Sequence, residues 1–242
     1  MLGTLIKSVG GALGLAPSMP AFNVPPTLPN LQARTAADLV AKAGLTPPAG
    51  APAPSTQTVA QFLNHKLNTE HDMLGATQAI AHGLPQKAGL QWATDSAKRV
   101  ENKLPPAQKS AIAAAEAFQS SPSPATRAAA AAAAESAGSH GPGGLAAKAA
   151  SLAAVPGVAS PPGGDQLLPV CVTGAVVTAV ALSSPRAPEL PDAPTIPKLE
   201  INAPALVAQP AVPLPQPDSA AAAKNAAAFK PFIDRGLSLA AG

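Results

Sequence analysis

The chain has 242 residues, a formal net charge of +3 and only 12% charged residues, with five Phe, one Trp and no Tyr. It therefore lacks the basic stripe and the aromatic platforms of a nucleic-acid binder, and with Cys171 as its one cysteine it forms no intrachain disulfide. Hydrophobic residues make up 47% of it, much of that alanine. Alanine favours helix but buries little area, so any core must be thin, with closely packed helices.

The 30 prolines crowd residues 17–54 and 185–217 and leave the middle nearly clear, which predicts one helical core with proline-rich flanks. Residues 2–14 place Leu2, Leu5, Ile6, Val9 and Leu13 on one helical face. Gly10, Gly11 and Gly14 weaken that helix, so it gains order by laying its face on the chain's own core, a partner groove or a membrane surface. Lys7 is its lone cation, which makes the membrane the poorest fit. The same stretch has the form of a weak signal peptide. Pro17, Pro20, Pro25, Pro26 and Pro29 then keep residues 16–31 extended.

The core begins with a helix capped by Thr35, with Asp38 in its first turn and Gly44 to close it. After a proline–alanine loop over 46–57, Val59, Phe62, Leu63 and Leu67 form the next apolar face. A third helix is expected from about Thr69 to Ala81, with Met73, Leu74 and Ile80 inward and Gly83 as its stop. Pro85 starts a fourth, carrying Leu90, Trp92, Ala93, Ala97 and Val100 and ending before Pro105-Pro106. Ile112 and Phe118 mark a fifth. Ser123-Pro124 opens a sixth that Gly138 stops, and others follow at 143–154 and 168–183. The uncharged run Gln166–Pro185 holds about fourteen strongly apolar residues where a membrane span needs about twenty, so it reads as a buried helix, with Cys171 as a small buried hydrophobe.

Pro185, Pro188, Pro191, Pro194 and Pro197 recur at every third position, the period of a polyproline II helix. Residues 185–217 read as an extended arm, acting either as a solvated linker or, through Lys198–Asn202, as an added edge strand on a partner. A last helix follows, with Phe229, Phe232, Ile233 and Leu237 apolar and Pro231 expected to kink it. It reads as a second docking helix.

Catalytic and ligand motifs are missing. His65, His71, His82 and His140 form no i, i+4 pair around a carboxylate, and there is no Glu-x-x-His, nucleophile elbow, phosphate loop or dinucleotide fingerprint. Gly141-Pro142-Gly143-Gly144 follows no strand and reads as a turn joining helices. Trp92, on an apolar face, reads as core. The expectation is a non-enzyme with no cofactor and no metal.

Four stretches together carry a pattern: ARTAADLVAKAGL at 33–45, AIAHGLPQKAGLQWATDSAKRV at 79–100, AIAAAEAFQSSPSPATRAAAAAAAESAG at 111–138 and LLPVCVTGAVVTAVALSS at 167–184. A His-Leu-Pro helix start precedes a Trp-Ala segment, then come an aromatic, a proline–serine turn and an arginine–alanine helix. His82, Leu84, Pro85, Trp92, Phe118, Pro122, Pro124 and Arg127 carry it. In this the chain resembles an alanine-rich helical bacterial domain family of unknown function, often associated with type VI secretion and contractile injection gene clusters. The resemblance implies an accessory or structural part of such a machine and carries over no functional residues.

The reading is an all-α protein: a small antiparallel helical bundle or stacked hairpins over 32–184, with an N-terminal amphipathic helix and arm over 1–31, a proline-rich arm over 185–217 and a docking helix over 218–242. It is expected to be a cytoplasmic structural or adaptor subunit that tethers protein subunits of a large bacterial assembly, without nucleic-acid, small-molecule or membrane partners. Partner-binding positions are Leu2, Leu5, Ile6, Val9, Leu13, Pro185, Pro188, Pro191, Pro194, Pro197, Phe229, Phe232, Ile233 and Leu237. A capsid-surface cement protein or an exported envelope protein with a proline spacer are the alternatives.

Overall fold

Short polar signals set the helix ends. Thr35 with Asp38, Thr58 with Gln61 and Ser123 with Thr126 each form a reciprocal capping box, and Gly44 closes the first helix at φ 61°. In this computed structural model, which describes residues 19–46, 53–158, 161–184 and 219–242, the described residues are all-α. The helices are α1 (Ala36–Ala43), α2 (Val59–Asn68), α3 (Met73–Gly83), α4 (Gln86–Arg99), α5 (Pro106–Ser120), α6 (Pro124–Ala137), α7 (Pro142–Leu152), α8 (Gly164–Ser183) and α9 (Ser219–Ala241). Single 3-10 turns lie at Pro54–Thr56 and Glu101–Lys103.

The expected inward faces of α2 and α4 are buried as read, from Val59, Phe62, Leu63 and Leu67 to Leu90, Trp92, Ala93, Ala97 and Val100. Two details of α3 differ. It starts at Met73, not near Thr69, because His71 takes a left-handed φ of 55° and the Asp72 carboxylate caps the Gly75 N–H at 2.8 Å. Met73, Ala76 and Ile80 define the inner face. Leu74 lies one residue, or 100°, away from Met73 and is 53% exposed rather than buried.

Helices joined by short loops pack side by side, and α7 and α8 hold the centre: α7 touches α4, α5, α6 and α8, while α8 also touches α3, α4 and α9. Small residues earn α7 that place. Its Ala147 closes an all-alanine cluster with Ala111 of α5 and Ala134 and Ala137 of α6, which requires the backbones to come very close. Gln108, buried on α5, stitches the junction. Its Nε2 donates to Ala137 O at 2.9 Å, and its Oε1 accepts from the Gly144 N–H at 2.8 Å. A Cβ on Gly143 would overlap the Gln108 carbonyl oxygen, and one on Gly144 would overlap that of Gly138. The Gly141–Gly144 run is thus not a joining turn as expected: Gly141 is the N-cap of α7, and Pro142, Gly143 and Gly144 form its first turn.

The chain ends revise the expected boundaries. Phe22, Leu31 and Ala33 are buried in the main core, so the described part of the N-terminal arm is a strap on the bundle. Asn68 fixes it at both polar groups of Phe22, accepting from its N–H at 2.8 Å and donating to its carbonyl at 2.9 Å. The terminal helix is no free docking element either. Phe232, Ile233 and Leu237 are buried in the chain's own core and Phe229 packs against it, because α9 lies across α3, α4 and α8. It runs through Pro231 as one helix. Residues 2–14 and the period-three prolines lie outside the described residues.

Replacing Gly143 by Ala is expected to cost about 2–3 kcal/mol in urea unfolding, since backbone must move to admit the methyl. Gly89→Ala on α4 meets only ordinary contact, 3.6 Å from Val172 Cγ2, and is expected to leave stability unchanged or raise it by about 0.5 kcal/mol.

Candidate functional site

The ionisable groups of the α2–α3 corner serve the fold. The Lys66 ammonium is buried between Glu70 at 2.7 Å and Asp72 at 3.0 Å, and His65 meets Glu70 at 3.2 Å. Burial alone would lower the Lys66 pKa, but these carboxylates outweigh it and hold the group above the ordinary lysine value. Asp72 also caps α3, so the cluster ties one helix end to the next start. Cys171 is half-buried on α8, and burial pushes its thiol up, away from the reactive thiolate. Among the described residues no group of three or more His, Cys, Asp or Glu converges in a way that could hold a metal.

The open chemistry lies where α3 turns into α4. A cleft of about 920 Å³ is bounded by His82, Leu84 and Gln86 from that corner, Lys42 from the end of α1 and Asp165 and Gln166 from the start of α8. A second cleft, about 470 Å³, shares Gln86 and Ala154 with it and reaches Phe118 and Pro122 at the end of α5. Gln86 is the bridge between them. Its Nε2 donates to Asp165 Oδ1 at 2.9 Å and its Oε1 accepts from the Ala154 N–H at 3.0 Å, so α4, the loop after α7 and the first turn of α8 are held together by one amide.

The rim is apolar. Leu167 and Val170, beside the cleft-lining Gln166, Leu168 and Pro169, are 49% and 55% exposed. They continue along α8 into Gly174, Val177 and Ala181 at helical spacing, and no charge occurs between Gln166 and Ser183. By length and composition α8 could cross a membrane, yet its other face is packed against α3, α4, α7 and α9.

Among the described residues, no partner-binding position read from the sequence falls on this surface. The described ones, Phe229, Phe232, Ile233 and Leu237, belong to the α9 packing, and the others lie outside the described residues. Sequence reasoning missed Leu167 and Val170 because a short apolar helix looks the same whether buried on one face or all round.

His82 offers a pH test. Burial lowers its pKa below the ordinary 6.5, so the folded chain favours the neutral ring. The stability this contributes is present above pH 6.5 and is lost as pH falls from there through the folded value. The melting temperature should drop as pH falls below 6.5, and His82→Gln should flatten part of that drop. An imidazole that titrates above 6.5 by NMR would contradict it.

Five of the eight residues of the His-Leu-Pro to Arg-Ala pattern fall at these features. His82 and Leu84 line the larger cleft, Phe118 and Pro122 the smaller, and Trp92 lies under α9 with its indole N–H on Phe232 O at 2.8 Å. No curated protein and no solved structure matches the chain. A family model matches residues 62–193, from within α2 to beyond the end of α8 and so over more than half of the chain. The chain belongs to the family that this model describes, a family of unknown function (DUF6931).

Proposed function

We propose that this chain is a non-catalytic subunit that holds other proteins within a larger bacterial assembly. The observation that carries the reading is the joined pair of clefts edged by Leu167 and Val170 on the charge-free outer face of α8. Exposed apolar side chains beside concave, mostly neutral clefts gain free energy when a partner covers them. The long proline-rich sequence 185–217 and the amphipathic residues 2–14 add further points of attachment, and linked weak contacts raise avidity without one tight site. The resemblance to domains from type VI secretion and contractile injection clusters supplies the kind of assembly.

The test follows the structural boundaries. Removing 1–31 or 185–242 would strip Phe22, Leu31 or all of α9 from the core, so the variants are a deletion of 1–18, an equal-length Gly/Ser replacement of 185–217, and Leu167→Glu with Val170→Glu. Each is tagged, expressed in the source cell in place of the native chain and purified with its partners. The melting temperature is expected to stay within about 2 °C, since surface changes of this type cost little. Co-purifying protein is expected to fall at least about tenfold for the α8 variant, as a desolvated contact is lost. If all three variants retain the full complement, the reading fails.

A further inference from the structure

α9 lies outside residues 62–193, yet it covers α3, α4 and α8, which lie within them. Within this chain α9 fills the groove that those helices form. Its floor is built for a helix. Trp92, Asp95 and Arg99 stand at i, i+3 and i+7 on one face of α4. The fully buried Trp92 donates its indole N–H to a main-chain carbonyl, Phe232 O, at 2.8 Å. An indole reaches a helical carbonyl only where the next turn is bare, and one turn on stands Gly236, where a Cβ would lie 2.7 Å from the Trp92 ring. Asp95 takes both Nε and Nη2 of Arg235, at 2.9 and 2.8 Å, and the Arg99 guanidinium sits 5.8 Å from the Phe232 ring centre. Asn30 of the strap caps the far end, donating to Leu239 O and Ala240 O at 3.0 Å each.

We infer that this groove is a helix-binding site that α9 closes in cis, and that its ligand in trans is a partner's amphipathic helix with the spacing of Phe232, Ile233, Arg235, Gly236 and Leu237. The aromatic and aliphatic positions supply burial, the arginine answers Asp95 and the glycine admits the Trp92 ring. Residues 184–218 separate α8 from α9. A tether of this length presents its helix at an effective concentration on the order of 1 mM, so α9 acts as a competing latch. The identity of the trans helix as a functional partner rests on the protein-holding reading above; the groove itself does not.

The experiment uses the full chain and a fluorescein-labelled synthetic peptide of residues 219–242, read by fluorescence anisotropy. Gly236→Leu in the chain drives its own α9 off Trp92. The opened chain is expected to bind the peptide with a Kd on the order of 10 μM, and the wild-type chain roughly 100-fold more weakly because α9 competes. A peptide carrying Gly236→Leu is expected not to bind. Arg235→Glu is the milder opening variant, and Asp95→Arg in the chain should then prefer an Arg235→Glu peptide over the wild-type one at least about fivefold. The proposal is overturned if folded, opened chains do not bind the peptide, or if the wild-type chain binds it equally well. It is also overturned if both opening variants lose their helical circular dichroism, because α9 is then an obligate core element. Loss of partners in the cell with no peptide binding sinks the groove alone, and peptide binding with partners unchanged sinks the protein-holding reading alone.

Discussion

Helices surfaced with alanine gain from packing only if their backbones come very close, and this constraint governs the whole bundle. A leucine can bridge a wide gap between two helix axes, whereas an alanine reaches barely past the backbone. The junction of α5, α6 and α7 meets the requirement with four alanines and the side-chain-free Gly143 and Gly144. Such an approach leaves no room for water at the helix ends, so their polar groups need a partner from the protein. Gln108 provides it on both sides, for Ala137 O and for the Gly144 N–H. Close approach and buried amide are one solution, since each would be costly without the other.

Two of the large aromatic side chains, Trp92 and Phe22, lie where helices matched by the family model meet elements from outside it. Trp92 meets α9 and Phe22 meets Asn68 of α2, with the Lys230 ammonium of α9 5.2 Å from the Phe22 ring centre. Gly236 repeats the device of Gly143: a missing side chain on one helix makes space for a close approach by another group. Strap and α9 also bind each other through Asn30, so the two ends of the described chain close over the same side of the bundle.

A neutral amide likewise organises the cleft region. Gln86, which lines both clefts, pairs with the Asp165 carboxylate and the Ala154 N–H. The charged cluster at Lys66 is distant in role as well as composition, being used up in capping and pairing. The clefts themselves combine an apolar edge with the amide of Gln86 and a few charged groups, Lys42, Asp165 and Lys87.

Most of the helices were legible in the sequence because their signals are local. Thr35 with Asp38, Ser123-Pro124, Gly44 and Gly138 act within one turn of themselves, and the faces of α2 and α4 follow from a 3.6-residue period. The Leu74 error is local too: Leu74 stands 100° from Met73, on the outer face it shares with Gln78 and His82. Only the tertiary structure decided what α9 docks on, which face of α8 stays open and how the two clefts join. Phe232, Ile233 and Leu237 announce that they need an apolar partner, but burial carries no address. The address comes from Trp92 and Asp95, separated from Phe232 and Arg235 by 140 residues of chain, and it exists only once α3, α4 and α8 have come together.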